Sequence, residues 1–192
     1  MKTRLGASDK DARVGRSSHG YGSGYTLHLT VDVKSELPIA YTVTPANVRE
    51  TRVARSILHN AKRTLGRGLR ILVADRGYSS DPYREYARRL RIEPTIPYTN
   101  RQRKDLKGVL RLDEHFKPHG PTRLKRLYRK RSCIERVFSR LEELGIHKPR
   151  VRGITDVTTH AQLCIITMLL NALATYNAGI PAKIRTLKYY AN

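Results

Sequence analysis

Two stretches near the start of the chain alternate apolar and polar residues, which is the pattern of a half-buried β-strand. In residues 24–33, "GYTLHLTVDV", the odd positions are mostly apolar and the even positions are mostly polar. Residues 37–46, "LPIAYTVTPA", repeat the alternation. Only the short segment "KSE" separates the two stretches, so the sequence predicts a β-hairpin. Residues 1–24 are polar and rich in Gly, Ser and basic side chains, which predicts a loop or arm.

The periodicity changes after the hairpin and predicts a series of helices and short strands. In order, it predicts an amphipathic helix over residues 49–65, a short strand buried on both faces over 69–74, a helix over 81–90 and a short strand over 92–98. A basic loop over 100–121 then precedes a long basic helix, and an apolar helix follows near the C-terminus. The order predicts an α/β fold in which helices flank one mixed sheet. We assign residues 25–178 to a single domain and 179–192 to a tail.

The charge of the chain indicates its partners. Lys and Arg number 38 against 16 Asp and Glu, giving a formal net charge of +22 and a sequence pI of about 10.6. A polyanion such as DNA or RNA is the natural partner for such a surface. An anionic membrane is the competing partner, but it requires a clean basic amphipathic helix, and the sequence has none. The apolar stretch 163–174 is short for a bilayer and contains Asn171, so we predict a buried core helix.

The two cysteines, Cys133 and Cys164, lack the spacing of a zinc site or a disulfide framework. This usage fits a reducing compartment and predicts a cytoplasmic protein.

A first candidate site residue is Asp75, which follows the buried strand directly in "ILVADRGYSS". In open α/β sheets, functional sites gather at the carboxyl ends of strands. The alternative is that Asp75 caps the turn that follows. Position alone favours neither interpretation.

A second candidate is Glu135, the one acid among eight basic residues in "RLKRLYRKRSCIERVFSR" (residues 123–140). On one continuous helix, Tyr128, Arg131 and Glu135 form a stripe at the border of the apolar face. The alternative is a surface ion pair of Glu135 with Arg131 or Arg136, of the kind that contributes little to stability. The two interpretations remain open at this stage.

Two carboxylates held by a strand end and a helix have the chemistry of a magnesium site. Mg²⁺ takes oxygen ligands and keeps waters and substrate phosphates in its shell. Paired ions of this kind flank a phosphate that is being cleaved, and neighbouring arginines hold phosphate oxygens. We therefore expect Asp75 and Glu135 to be metal ligands and the arginines to bind DNA.

These stretches resemble one family: the insertion-sequence transposases of the DDE type, which have an RNase H-like catalytic domain. "SDKDAR" and the hairpin "GYTLHLTVDVKSELPIAYTVTPANVRET" resemble the segment before and across that family's hairpin. "VADRGYSS" resembles its strand with the second catalytic Asp, "YRKRSCIER" its Tyr-Arg-Glu signature, and "KPRVRGI" its closing segment. The motifs occur in the family's order.

The resemblance implies an α/β fold of the RNase H-like type and a specific chemistry. It implies metal-dependent cleavage at transposon ends and strand transfer into target DNA, with Asp75 and Glu135 as catalytic residues that bind Mg²⁺ or Mn²⁺. It implies that double-stranded DNA is the partner and that the protein associates with the nucleoid. We expect a homodimer or a complementing N-terminal transposase fragment as a protein partner. The residues expected to bind DNA are Tyr128, Arg131, Arg150 and Arg152.

Two positions depart from the family pattern. Glu142 stands where the signature ends in Lys, and the missing Lys should weaken contact with the DNA end unless Lys148 or an arginine substitutes. The strand that bears the family's first catalytic Asp would precede "SDKDAR", where this chain has only "MKTRLGA", so we expect a truncated transposase that lacks this central strand. Of the nearby acids, Asp9 and Asp11 lie in the polar segment. Asp32 on the hairpin is the residue considered as a substitute for the first catalytic Asp. The alternative functions are a non-catalytic DNA-binding remnant and, less favoured, an RNA-binding protein of the translation apparatus.

Overall fold

A computed structural model of the protein describes residues 9–17, 20–99 and 122–187. The chain divides into two compact units, one formed by residues 1–48 and 133–192 and the other by residues 49–132. The described strands are β1 (Arg13–Ser17), β2 (Gly20–Val31), β3 (Pro38–Pro45), β4 (Ile71–Val73) and β5 (Glu93–Thr95). The described helices are α1 (Glu50–Leu65), α2 (Asp81–Arg89), α3 (Thr122–Arg129), α4 (Cys133–Glu143) and α5 (Ile154–Asn177). The basic loop predicted over 100–121 lies outside the described residues.

The first unit is built on an antiparallel sheet with the order β1-β2-β3. The predicted hairpin is confirmed: β2 pairs with β3 in a register that sets Leu27 opposite Val43 and Leu29 opposite Tyr41. The alternation therefore places one apolar side of the hairpin toward a core, as a period of two requires.

The prediction of a loop over residues 1–24 is wrong for residues 13–17 and 20–24, which are strand. β1 pairs along its length with the start of β2. One of the glycines that favoured a loop, Gly15, serves close packing instead, because a Cβ there would collide with the carbonyl of Ala46. Glycine at such a position permits close approach of two backbones, a requirement that composition alone does not reveal.

Helices α4 and α5 cover the sheet of the first unit. The core between them contains Leu27, Val137, Leu141, Ile146 and Met168, all buried. Of the described helices, α5 is long and apolar enough to cross a membrane by length and composition. The predicted buried core helix is buried on one face only: its outer face exposes apolar side chains, namely Leu163, Ile166, Leu170, Leu173 and Tyr176.

Two aspartates fix the start of α5. The carboxylate of Asp9 accepts hydrogen bonds from Tyr25 Oη (2.9 Å), the Gly153 amide (3.1 Å) and two amides of its own turn. Asp11 accepts one from the Ile154 amide (3.0 Å). Both acids thus bind free amides at or near a helix N-terminus, where negative charge is favourable.

Replacing Asp9 with Asn is expected to destabilise the protein by about 2 kcal/mol at pH 7, because a charged acceptor of several amides is lost. Burial opposes ionisation of Asp9, but the hydrogen bonds from Gly153 and Tyr25 prevail and lower its pKa. A lowered folded-state pKa stabilises the protein above the unfolded value of about 4, and this contribution is lost as the pH falls. Urea unfolding at pH 7 and pH 3 should therefore show a smaller difference between variant and wild type at pH 3, and an equal difference would contradict this role.

The second unit contains α1, α2, α3 and a parallel pair of strands, β4 and β5. Its core is formed by one face of α1 and α2 and the segment around β5: Ala54, Leu58, Tyr83, Ala87, Ile92 and Ile96. The predicted helices over 49–65 and 81–90 are confirmed within one residue at each end. In α2, the Ser80 side chain caps the N-terminus by accepting from the Tyr83 amide.

Two predictions about the strands require correction. Ile71 of β4 is exposed and its other residues are half-buried, so this strand is not buried on both faces. The described strands form one antiparallel and one parallel sheet where one mixed sheet was predicted. Periodicity predicts a strand from local residues, whereas strand pairing depends on long-range contacts that periodicity does not contain. The α/β class itself is confirmed.

The predicted long basic helix is interrupted. α3 ends at Arg129, residues Lys130–Ser132 form a 3₁₀ segment, and α4 begins at Cys133. A 3₁₀ segment turns by about 120° per residue where an α-helix turns by about 100°. Tyr128 and Glu135 are therefore not on one continuous α-helix, and the predicted stripe of Tyr128, Arg131 and Glu135 along one helix face is not formed.

Candidate functional site

Asp75 lies two residues after β4, on an exposed turn of the second unit. Its Oδ1 accepts a hydrogen bond of 2.6 Å from the Gly77 amide, so it caps the 3₁₀ turn Arg76–Tyr78. The capping alternative is therefore confirmed. It is compatible with metal binding, since a carboxylate has two oxygens and this cap uses one of them.

The structure places a second carboxylate, that of Glu50, beside Asp75. A Cβ built on Gly77 would lie 3.3 Å from Asp75 Oδ1 and 3.4 Å from Glu50 Oε2, so the two carboxylates border one point. Burial raises the pKa of Tyr78 to about 12, and the negative charges of Glu50 and Asp75 contribute to this rise. Sequence reasoning missed Glu50, because an acid in the first turn of a helix is explained by the helix dipole alone.

Arg84 of α2 contacts the end of the turn that contains Asp75. This guanidinium is buried and donates to Ser79 Oγ (2.8 Å) and to the carbonyls of Ile96 (3.1 Å) and Pro97 (3.3 Å). It also lies over the Tyr98 ring, 3.7 Å from the centroid. Burial lowers the pKa of Arg84, and the Tyr98 and Asp81 side chains oppose this shift by favouring the charged form. One side chain thus joins the turn after β4 to the segment after β5.

The predicted DNA-binding pair Tyr128 and Arg131 is brought together in the second unit. The Arg131 guanidinium carbon lies 5.9 Å from the centre of the Tyr128 ring, within the range of a cation–π contact. Both side chains are half-buried. The arrangement orders a guanidinium beside an aromatic face, which suits a contact with a phosphate or a base.

Glu135 lies in the first turn of α4, in the first unit, and is exposed. The prediction that it borders the core is wrong, since the 3₁₀ segment before α4 changes the helix phase and the buried face is formed by Cys133, Val137 and Leu141. Asp75 belongs to the other unit, so a metal ion shared by Asp75 and Glu135 stays a prediction.

The remaining predicted contacts lie on the surface of the first unit. Arg150 and Arg152 are exposed in the segment before α5, and Lys148 is exposed as well. Glu142 does not replace the missing Lys of the signature, because its Oε1 lies 2.6 Å from His147 Nε2. Of these exposed residues, the arginines and the lysine have the charge that suits a phosphate.

Asp32, which was considered above as a substitute for the family's first catalytic Asp, accepts hydrogen bonds in the turn between β2 and β3. Its Oδ2 accepts from the amide (2.6 Å) and the hydroxyl (2.8 Å) of Ser35. Asp32 thus satisfies donors three residues on, and like Asp75 it uses one of its two carboxylate oxygens to do so. Asp9 and Asp11 instead accept hydrogen bonds at the start of α5.

The donor set fits a hard divalent ion in part. Asp75 and Glu50 offer carboxylate oxygens at one place, and Mg²⁺ or Mn²⁺ accepts such ligands while keeping waters and substrate phosphates. Across the described ranges, no three His, Cys, Asp or Glu residues come together.

Comparison with known proteins identifies the family. The model of the transposase DDE domain family matches residues 3–171 of the chain, and the chain therefore belongs to this family. It is a DDE-type insertion-sequence transposase, the class that the motifs around Asp75 and Glu135 resemble. Its function is DNA transposition, and its family generally uses divalent metal ions. Searches of curated proteins and of solved structures found no match.

Proposed function

We propose that this chain performs metal-dependent cleavage at transposon ends and strand transfer into target DNA, through an active site of the RNase H-like type. The observation that supports this most is the exposed Asp75 carboxylate in the turn after β4, beside a second acid. Strand ends hold such groups rigidly, and the adjoining turn leaves them accessible to a large substrate. The family membership supports the same chemistry.

The proposed ligands of Mg²⁺ or Mn²⁺ are Asp75 and Glu135, with Glu50 as a further oxygen donor. When bound, such ions activate the attacking hydroxyl or water and stabilise the leaving oxygen. The Arg84 contacts keep the Asp75 turn in place. Tyr128, Arg131, Arg150 and Arg152 bind the DNA backbone, and the excess of positive charge draws the DNA to the surface.

A protein partner, either a second copy or a complementing transposase fragment, is part of the proposal. The apolar side chains exposed along the outer face of α5 support it, since contiguous apolar patches of this kind mark interaction surfaces. DNA binding would place the protein in the cytoplasm, at the nucleoid.

The second candidate function is DNA binding without cleavage. The observation that favours it is that the acids nearest the N-terminus, Asp9, Asp11 and Asp32, all serve structural hydrogen bonds. A site with only part of its carboxylates would retain the basic surface and lose the chemistry.

Incubation of the purified protein with labelled duplexes from either side of its coding sequence separates these functions. We expect nicking that requires Mg²⁺ or Mn²⁺ and stops with EDTA, and binding that weakens steeply between about 50 and 200 mM salt. Binding without cleavage in any metal would support the second function. Absence of salt-dependent binding would contradict both.

A further inference from the structure

Glu36 occupies an unusual position in the turn between β2 and β3. Its φ is 58°, in the left-handed region that glycine adopts without strain, and it is only 4 % exposed. A buried, charged side chain on a strained backbone requires specific partners, and strain of this kind accumulates at functional sites.

Three arginines supply those partners. Arg136 of α4 donates from Nε to Glu36 Oε1 at 3.0 Å, and Arg140, one turn later, donates to the Glu36 carbonyl at 2.8 Å and to Oε2 at 3.3 Å. Arg185, after α5, lies 3.6 Å from Oε1 and donates to the carbonyls of Lys34 and Ser35. One carboxylate therefore orients guanidinium groups from two distant segments of the first unit.

The cluster has more positive charge than its fold requires. Three arginines against one glutamate leave a net charge of +2. Arg140 is 11 % exposed, whereas Arg136, which makes the closest contacts with the carboxylate, is 57 % and Arg185 is 50 % exposed. Together with Glu36 and Ser139 they line an open pocket of about 370 Å³. Two half-exposed arginine side chains and Ser139 are thus among the residues that line the pocket.

We propose that this pocket binds a backbone phosphate of DNA, with Arg136 and Arg185 as its ligands and Glu36 as the residue that positions them. Guanidinium groups held in place bind phosphate oxygens through paired, charge-assisted hydrogen bonds, and little side-chain entropy is lost when they are already oriented. The inference rests on the proposed DNA binding and adds a contact that the sequence motifs do not assign.

Arg185→Gln tests the pocket: Arg136 and Arg140 still neutralise Glu36, while the hydrogen bonds from Arg185 to the Lys34 and Ser35 carbonyls are lost, so the stability of the variant is measured beside its DNA affinity. We expect DNA affinity about tenfold weaker at about 0.1 M salt, and a slope of log affinity against log salt reduced by about 0.9. Arg185→Lys, which keeps the charge but not the paired hydrogen bonds, should recover part of the affinity. Arg89→Gln is the matched control, since Arg89 is exposed, pairs with Glu85 and lies in the other unit.

Fluorescence anisotropy across a salt series, with thermal unfolding of each variant as a check on the fold, gives the answer. An Arg185→Gln variant that binds DNA with the wild-type affinity and slope would overturn the inference and leave the proposed function standing. A wild-type protein that binds no DNA would overturn both. A thermal shift by inorganic phosphate that Arg185→Gln abolishes, with DNA affinity unchanged, would assign the pocket to a free anion and overturn the DNA contact.

Discussion

Asp75→Asn and Glu135→Gln are each expected to reduce metal-dependent DNA cleavage by about a thousandfold or more, while DNA affinity changes by less than about threefold. Each substitution keeps the size of the side chain and removes the charge that a divalent ion requires from its ligand. Both side chains are exposed, so neither change creates a buried defect. A cleavage assay with saturating Mg²⁺, run beside a binding assay, separates loss of chemistry from loss of binding.

Glu142→Gln is the matched control for Glu135. It makes the same chemical change on the same helix, at an exposed glutamate whose partner is His147. We expect wild-type cleavage from this variant. If Glu135→Gln is as active as wild type, Glu135 is not a metal ligand. If Asp75→Asn is as active as wild type, the turn after β4 is not part of the metal site.

Arg84→Met is expected to destabilise the protein by about 3 kcal/mol, the largest stability effect that the structure predicts. Methionine fills most of the space but leaves Ser79 Oγ and the carbonyls of Ile96 and Pro97 without their donor in a buried place. The stacking on Tyr98 is lost as well. Urea unfolding at neutral pH measures the free energy of unfolding directly.

Arg88→Met, on the exposed side of the same helix, is the control and should change stability by less than about 0.5 kcal/mol. Because Arg84 supports the turn of Asp75, a milder variant such as Arg84→Lys should also lower cleavage at temperatures where the protein remains folded. If Arg84→Met is as stable as Arg88→Met, the buried hydrogen bonds of Arg84 contribute no net stability.

Local patterns predicted several elements of this fold well. The β2–β3 hairpin and helices α1 and α2 follow from alternation or helical spacing over eight residues or more, a signal that tertiary contacts reinforce. The turn role of Asp75 was one of two stated alternatives, since an aspartate after a strand commonly accepts from the second amide that follows.

Other features depend on contacts that no local pattern contains. In β1, Gly15 allows close packing against Ala46, and the 3₁₀ segment between α3 and α4 arises within a sequence of uniformly helical character. Glu50 is adjacent to Asp75 only because α1 begins beside the turn after β4. The sequence contains no signal for Glu36, which lies in the short connection between two strands, because its arginine partners Arg136 and Arg140 lie 100 or more positions away.

The most direct test of the central claim is to map the bound metal with iron. Fe²⁺ occupies oxygen-ligand sites of this kind, and with ascorbate and peroxide it cleaves the polypeptide close to where it is bound. In the presence of DNA, the account predicts cuts near both residue 75 and residue 135, suppressed by excess Mg²⁺ and absent from Asp75→Asn. Cuts near residue 75 alone, or at neither position, would contradict a metal site shared by Asp75 and Glu135.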